Sequence, residues 1–392
     1  MKAEDLHKKA AIVGIGEVRP SKTPEGRTGM ELAMEAARLA LEDAGLDPGD
    51  VDGLLISPPE EITGVMMVPS YFAEYMRIKP RYGNIVDLGG ATGAGMVWRA
   101  AAAIASGLCE TVLCFTGSAW DTQTLFTLMQ NIRFSPEEEQ FERPYGPMGM
   151  NHAYALAARR HMHEFGTTAR QLAKVAADQR TNALANPHAI FYGKPLTVDD
   201  VLASRLVCDP LHLFEIVMPC SGAAALVVQG KKRAKQCPRG PVWLLGAGEA
   251  MSHSLITYAP SLTETPIARA APAAFEMAEV KPKDVHLVSI YDCYTIMVIL
   301  TLEDAGFCKK GQGGPFVEAH DLTYQGDFPV NTHGGQLSFG QPGLAGGMSH
   351  ITEAVRQIRG EAGQRQLSRC DLAYVNGNGG AMSEECSLIL GR

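Results

Sequence analysis

What this chain lacks narrows the field first. None of its apolar runs reaches the ~18 residues that a membrane span needs. Residues 1–9 are polar and run straight into a strand signal, so they offer neither a secretory hydrophobic segment nor an anchor, and a soluble, cytoplasmic chain is expected. Lys and Arg number 35 against 43 Asp and Glu, and the net charge of −8 leaves no basic surface for nucleic acid or anionic lipid. Nine cysteines are present, an odd number, yet none forms a CxxC pair or stands at His/Cys ligand spacing. They read as reduced, mostly buried thiols, and no metal is expected. His161 and His163 lie two apart and face different sides of a helix, so with His152 and His188 they read as surface or packing histidines. What remains, 46% hydrophobic and 20% charged over 392 residues, is ordinary for a globular enzyme of two to three average domains.

The chain is organised around Val86-Asp87-Leu88-Gly89-Gly90-Ala91-Thr92-Gly93-Ala94-Gly95-Met96. Residues 84–86 read as a buried strand that opens through glycines onto a helix over 92–106. Free N–H groups and the positive end of a helix dipole then face one point, which suits an oxyanion or anion as well as a tight core turn. Around it, strand signals at 10–16, 51–57 and 111–116 alternate with helices, the first capped by Thr28 and ended by Gly45. This alternation predicts a parallel sheet covered on both faces.

Residues 118–215 interrupt the pattern with polar loops and two clear helices at 150–165 and 168–186, an insertion between a first half at 1–117 and a second at 216–392. The two halves repeat each other. Residues 37–57 lie without gaps on 271–291, with identities at Ala37/Ala271, Ala40/Ala274, Glu42/Glu276, Ala44/Ala278, Pro48/Pro282, Asp50/Asp284, Val51/Val285 and Ile56/Ile290. Gly95-Met96 likewise answers Gly347-Met348. Two equivalent βαβ halves are implied, whose glycine turns and the loop after 285–290 can meet at the carboxyl ends of the strands.

The double repeat, Tyr291-Asp292-Cys293-Tyr294, Asn331-Thr332-His333-Gly334-Gly335, Gly340-Gln341-Pro342-Gly343 and Asn376-Gly377-Asn378-Gly379-Gly380 together resemble the thiolase superfamily over essentially the whole chain. The nearest branch resembles sterol-carrier and lipid-transfer-type thiolases. That resemblance implies an α/β fold of five layers, αβαβα, built from two duplicated βαβαβ halves. It also implies an acyl-CoA substrate, with coenzyme A entering as the thioester.

The departures from the family bear on function. The nucleophilic cysteine of the Cys-x-Ser-Gly turn falls on Gly90, the second cysteine on Gly377, and the histidine of Gly-His-Pro on Gln341. Retro-aldol cleavage of a β-hydroxyacyl-CoA needs a base and donors to an enolate oxygen but no covalent intermediate. The chain resembles the cysteine-less thiolase-like aldolases, in which tyrosines replace histidines at the oxyanion site. Tyr291 matches that exchange and Gln341 does not.

The resemblance implies Gly90, Tyr291, Gln341 and Asn376 as site residues. His333 is the candidate base and Asp292 the substitute for it, unless that carboxylate ties down a neighbouring loop. Gly379, Gly380 and Arg143 are candidates for the coenzyme, with Arg159 and Lys194 behind them. Cys293 and Cys220 read as structural, and Gly311-Gln312-Gly313-Gly314 as a loop bordering the pocket. An acyltransferase with a relocated or partner-supplied nucleophile and a non-catalytic acyl-CoA-binding subunit are the alternatives. A homodimer pairing through the strand 111–116, taken as an edge, and a small OB-fold, zinc-ribbon partner subunit are implied as well.

Overall fold

Thr28 shows how local chemistry sets an element. Its hydroxyl accepts from the Glu31 N–H at 3.1 Å while the Glu31 carboxylate accepts from the Thr28 N–H at 2.8 Å. From this reciprocal cap the helix Gly29–Ala44 runs to Gly45, whose φ of 68° closes the last turn. The computed structural model describes residues 6–62, 64–120, 135–146 and 149–392, so part of the expected insertion, 121–134 and 147–148, lies outside the described residues. Among them no helix is long and apolar enough to cross a membrane.

The strands are β1 (Ala10–Ser21), β2 (Gly53–Ser57), β3 (Tyr82–Ile85), β4 (Thr111–Ala119), β5 (Leu206–Cys208), β6 (Leu211–His212), β7 (Ser221–Gly230), β8 (Val242–Met251), β9 (Leu287–Ser289), β10 (Leu372–Gly379) and β11 (Glu384–Gly391). β5 and β6 pair with each other, and the rest form one sheet in the order β3-β2-β4-β7-β1-β8-β11-β10-β9. The two halves of this sheet meet where Ala11 and Ile12 of β1 pair with Trp243 and Val242 of β8. Outward from that junction, β1-β7-β4-β2 on one side answers β8-β11-β10-β9 on the other.

Each half-sheet has an outer and an inner face. The helices Thr92–Ala105 and Ala345–Arg359 share one buried cluster with Ile12, Leu55, Val112 and Leu226 of the first half and Leu287, Val375, Leu388 and Leu390 of the second. Helix Gly29–Ala44 covers the far face of the first half, and Ile267–Ala278 and Thr295–Asp304 cover that of the second. The result is the expected five layers.

The repeat extends into strand glycines that the sequence comparison did not connect. A Cβ on Gly14 or Gly16 of β1 would stand 2.1 or 2.0 Å from the carbonyl oxygens of Ala40 and Ala36. In the second half, Gly246 and Gly248 of β8 sit equally close, 2.0 Å, to those of Ala274 and Ala270. Glycine on the strand and alanine on the helix let both outer helices lie directly on their sheets.

Three expectations are corrected. The sheet is mixed: β2 runs parallel to β3 and β4, and β9 to β10, but every pairing from β4 through β7, β1, β8 and β11 to β10 is antiparallel. A hairpin joins β10 to β11, and β7 returns alongside β4 after the insertion, so neither makes a parallel crossover. Residues 84–85 belong to the exposed edge strand β3, and burial begins only at Val86. The strand 111–116 is no edge, because β4 is flanked by β2 and β7 and buried almost throughout.

Candidate active site

The site forms where the two glycine turns and the loop after β9 meet. Asn331 fixes that loop: its Oδ1 accepts from the Ile290 N–H at 2.6 Å and its Nδ2 donates to the Ile290 carbonyl at 2.8 Å, which aims Tyr291 at the glycines. A Cβ on Gly347 would lie 2.3 Å from the Gly90 carbonyl oxygen, and one on Gly89 would lie 2.9 Å from the Gly380 nitrogen. Backbone from both halves therefore touches here. A cavity of about 500 Å³ opens at this junction, lined by Gly90, Tyr154, Tyr291, Tyr294, Gln341 and Asn378 with an apolar wall of Met150, Ile216, Val217 and Pro219.

Gly90 has no room for a side chain. A Cβ there would meet Tyr291 Cζ at 2.2 Å, Tyr291 Oη at 2.3 Å and the Asn378 carbonyl oxygen at 2.4 Å. The phenol of Tyr291 thus occupies the place that a side chain at position 90 would need. Its oxygen accepts a hydrogen bond from Gln341 Nε2 at 3.1 Å, which leaves the phenol's own hydrogen for a ligand. Gln341 is held in turn by backbone, since its carbonyl accepts from the Cys220 N–H at 3.1 Å. Burial pushes the Tyr291 hydroxyl up, so it stays a neutral donor.

Cys293 lines the same cavity, but burial pushes its thiol up to about 12, and Asn378 Nδ2 lies 3.5 Å from its sulfur. It is a neutral thiol rather than a nucleophile. Asn378 Nδ2 also donates to the Tyr154 hydroxyl at 2.8 Å, which donates to the Gly380 carbonyl at 3.0 Å. Tyr154 stacks on Tyr294 with ring centroids 4.1 Å apart, and the Tyr294 hydroxyl donates to Asn151 Oδ1 at 2.6 Å. Helix Met150–Phe165 thereby supplies one wall.

Of the sequence-predicted residues, Gly90, Tyr291, Gln341 and Gly380 come together at the cavity. His333 does not line it. That ring is buried against Phe339 and His350, with Nε2 3.3 Å from Ser349 Oγ, and burial together with Arg365 and Arg356 drives its pKa well down. Asp292 is turned into the loop 335–337, where it accepts from the Gln336 N–H at 2.6 Å and the Leu337 N–H at 3.4 Å. Burial pushes its carboxyl up to about 8.

Asn376 is buried on β10, donating to Glu385 at 3.0 Å, and Gly379 packs against Leu88 behind the cavity wall. Arg143 is exposed and pairs with Glu139 at 2.6 Å, and Arg159 and Lys194 are exposed too. Asn378, Tyr154 and Asn151 also line the cavity and are not among the sequence-predicted residues. Asn378 stood unremarked inside a motif quoted for its glycines, whereas nothing in the alanine-rich stretch around Tyr154 marks it.

Residues 248–392 match the family described as thiolase C-terminal domain-like. Over 97% of both chains the sequence is 33% identical to a steroid side-chain-cleaving aldolase of Thermomonospora curvata. The chain belongs to the thiolase superfamily. Within it, the chain is also 33% identical to the 17-hydroxy-3-oxo-4-pregnene-20-carboxyl-CoA lyase of Mycobacterium tuberculosis, across 91% of this chain and 92% of that one. The solved Ltp2-ChsH2(DUF35) aldolase superposes on this thiolase-superfamily chain with a TM-score of 0.86 at 31% identity, covering 98% of each. These neighbours set the chain in the superfamily's sterol-carrier-like, aldolase-type branch.

Proposed function

We propose that this chain is an acyl-CoA carbon–carbon lyase that cleaves a β-hydroxyacyl-CoA by a retro-aldol reaction. The observation that carries the reading is the Tyr291 phenol lying 2.2 to 2.3 Å from where a Cβ on Gly90 would be. A hydrogen-bond donor stands where an acyl-accepting side chain would have to be. In the reaction the β-hydroxyl loses its proton, the Cα–Cβ bond breaks, and its electron pair moves onto the thioester oxygen as an enolate. Protonation at Cα then gives a shortened acyl-CoA and an aldehyde or ketone.

Tyr291, held neutral and oriented by Gln341, donates to the thioester oxygen as its charge develops. His333 and Asp292, behind the wall, brace the 331–337 loop that packs beside Tyr291. The similarity to two lyases named for steroid substrates supports a bulky, ring-bearing acyl group, and the apolar wall of Met150, Ile216, Val217 and Pro219 suits one. The coenzyme arm runs past Gly380 in this reading.

The Ltp2-ChsH2(DUF35) neighbour supports a small partner subunit of the OB-fold, zinc-ribbon type for this chain as well. A homodimer would pair through the exposed edge strand β3. The test is mass spectrometry of the purified chain, with any co-expressed partner, after exposure to β-hydroxyacyl- and β-ketoacyl-CoA thioesters. Carbonyl product from the hydroxyacyl compounds with no mass added to the protein is expected. A stable acyl adduct with CoA-dependent cleavage of the ketoacyl compounds would make the chain an acyltransferase instead.

A further inference from the structure

Asn151 is a polar side chain set beside the apolar wall of Met150, Ile216, Val217 and Pro219. It leaves helix Met150–Phe165 on the same face as Tyr154, three residues on, whose ring stacks on Tyr294. Its side chain makes one hydrogen bond, to the Tyr294 hydroxyl at 2.6 Å. So short a separation belongs to O–H···O rather than N–H···O, and the Tyr294 hydroxyl has no other acceptor for its hydrogen among the described residues. The edge of the amide that faces Tyr294 is therefore Oδ1, and Nδ2 stands on the opposite edge. Nδ2 has no partner among the described residues. Unlike Asn378 Oδ1 it is not sealed in the protein, because Asn151 is half-buried and its nitrogen keeps accessible surface. Two N–H hydrogens are thus open at a residue that lines the cavity.

Tyr291 serves the thioester oxygen in the proposed reaction, so these hydrogens meet a different acceptor. The Tyr294 side chain starts three residues after Tyr291 and spans its full length to reach Asn151. The amide therefore stands away from the slot at Gly90 where the thioester and its β-carbon lie. Tyr294 also bridges to Ile216 through its backbone, which sets Asn151 over the apolar wall rather than beside Gly380, where the coenzyme arm runs. We propose that Asn151 is a specificity-determining residue whose Nδ2 donates to an acceptor oxygen, a ketone or hydroxyl, carried by the acyl group beyond its β-carbon. The inference rests on the lyase reading for the placement of the thioester and narrows the substrate class to acyl groups oxygenated on their ring portion. A mostly apolar pocket draws its selectivity from a few placed polar groups. Against an all-hydrocarbon ring the Asn151 hydrogens would lose water and gain no partner, which disfavours that substrate.

The measurement is carbonyl release from two β-hydroxyacyl-CoA thioesters with one ring skeleton, one bearing a ketone on the ring distal to the thioester and one lacking it. It uses the full chain with any copurifying partner. Asn151→Asp keeps the oxygen that Tyr294 needs and removes both hydrogens, and an acidic side chain suits the first turn of a helix. Wild type should prefer the ketone-bearing compound, and Asn151→Asp should cut that preference in kcat/KM about tenfold, through KM rather than kcat. Asn151→Ala should cut it as well, and it carries the test if the Asp variant fails to fold. The ratio between the two compounds is the readout, because a new charge near the coenzyme acts on both alike. A ratio that stays put in both variants would overturn the inference: equal weakening would put the amide on the coenzyme arm, and no weakening would leave it without a ligand. If wild type releases no carbonyl product from either compound the lyase reading fails, and calorimetric binding of the same two thioesters to the same three proteins then decides on Asn151 separately.

Discussion

Replacing Tyr291 by Phe removes one oxygen and leaves the ring that fills the slot against Gly90. Position 90 allows no side chain beside that ring, so a compensating group cannot move in from there. The lost hydroxyl is the partner of Gln341 Nε2 and, in the proposed reaction, the donor to the enolate oxygen. Losing a comparable oxyanion donor slows turnover by about 10² to 10³, roughly 3 to 4 kcal/mol of transition-state stabilisation. The stability cost is one neutral hydrogen bond, about 1 kcal/mol. The variant should therefore fold, bind β-hydroxyacyl-CoA with little change in KM, and release carbonyl product at least about a hundredfold more slowly than wild type. Steady-state product release and a thermal melt on the same preparation separate the two effects. A variant that keeps kcat within about threefold while melting normally would refute the assignment of Tyr291 as the donor.

Three further outcomes follow from the same geometry. Gly90→Ser should lose activity and melt several degrees lower, because its Cβ would collide with the Tyr291 ring and the Asn378 backbone; a crystal structure with both unmoved would contradict this. Cys293→Ala should keep activity to within a few-fold, since a thiol pushed up to about 12 takes no acyl group, and loss of turnover together with loss of an acyl adduct would reverse that conclusion. Asp292 is protonated in the folded chain up to about pH 8, while the unfolded chain gives up this proton near pH 4. Its contribution to stability is therefore lost as pH rises from about 4 through 8, and Asp292→Asn should flatten the fall in melting temperature over that range; parallel profiles would argue against it.

Glu249 works in the opposite direction. Burial alone would raise its carboxyl, but Arg99, at 2.5 and 2.9 Å, and Trp98 Nε1, at 2.8 Å, hold it below the usual range. This clamp between helix Thr92–Ala105 and β8 is present above the ordinary carboxylate pKa and lost as pH falls through the lowered one. Glu249→Gln should cost about 1 to 2 kcal/mol near neutral pH and much less in acid, read by denaturant melts at both.

The sequence by itself determined the duplication, because the eight matched identities between residues 37–57 and 271–291 repeat one helix, turn and strand, and the five layers followed from the family resemblance that the repeat and its motifs carry. It also determined the absence of a nucleophile at Gly90, since a glycine in that turn carries no chemistry whatever surrounds it. Strand direction and neighbours were decided elsewhere. β4 reads as apolar whether it is an edge or a centre, and only pairing with β7 across the insertion placed it inside, with β3 left at the edge.

The site divides in the same way. Tyr291 and Gln341 were legible because each stands in a short motif. His333 was chosen for its titratable ring, and local sequence carries no sign that Phe339, Ser349 and His350 close over it. Tyr154 and Asn378 lie 224 positions apart, and their 2.8 Å contact exists only because the insertion helix folds back onto the last glycine turn. Spacing along the chain reports what one element presents. Which groups from distant elements share a proton depends on packing, and tertiary structure alone decided that here.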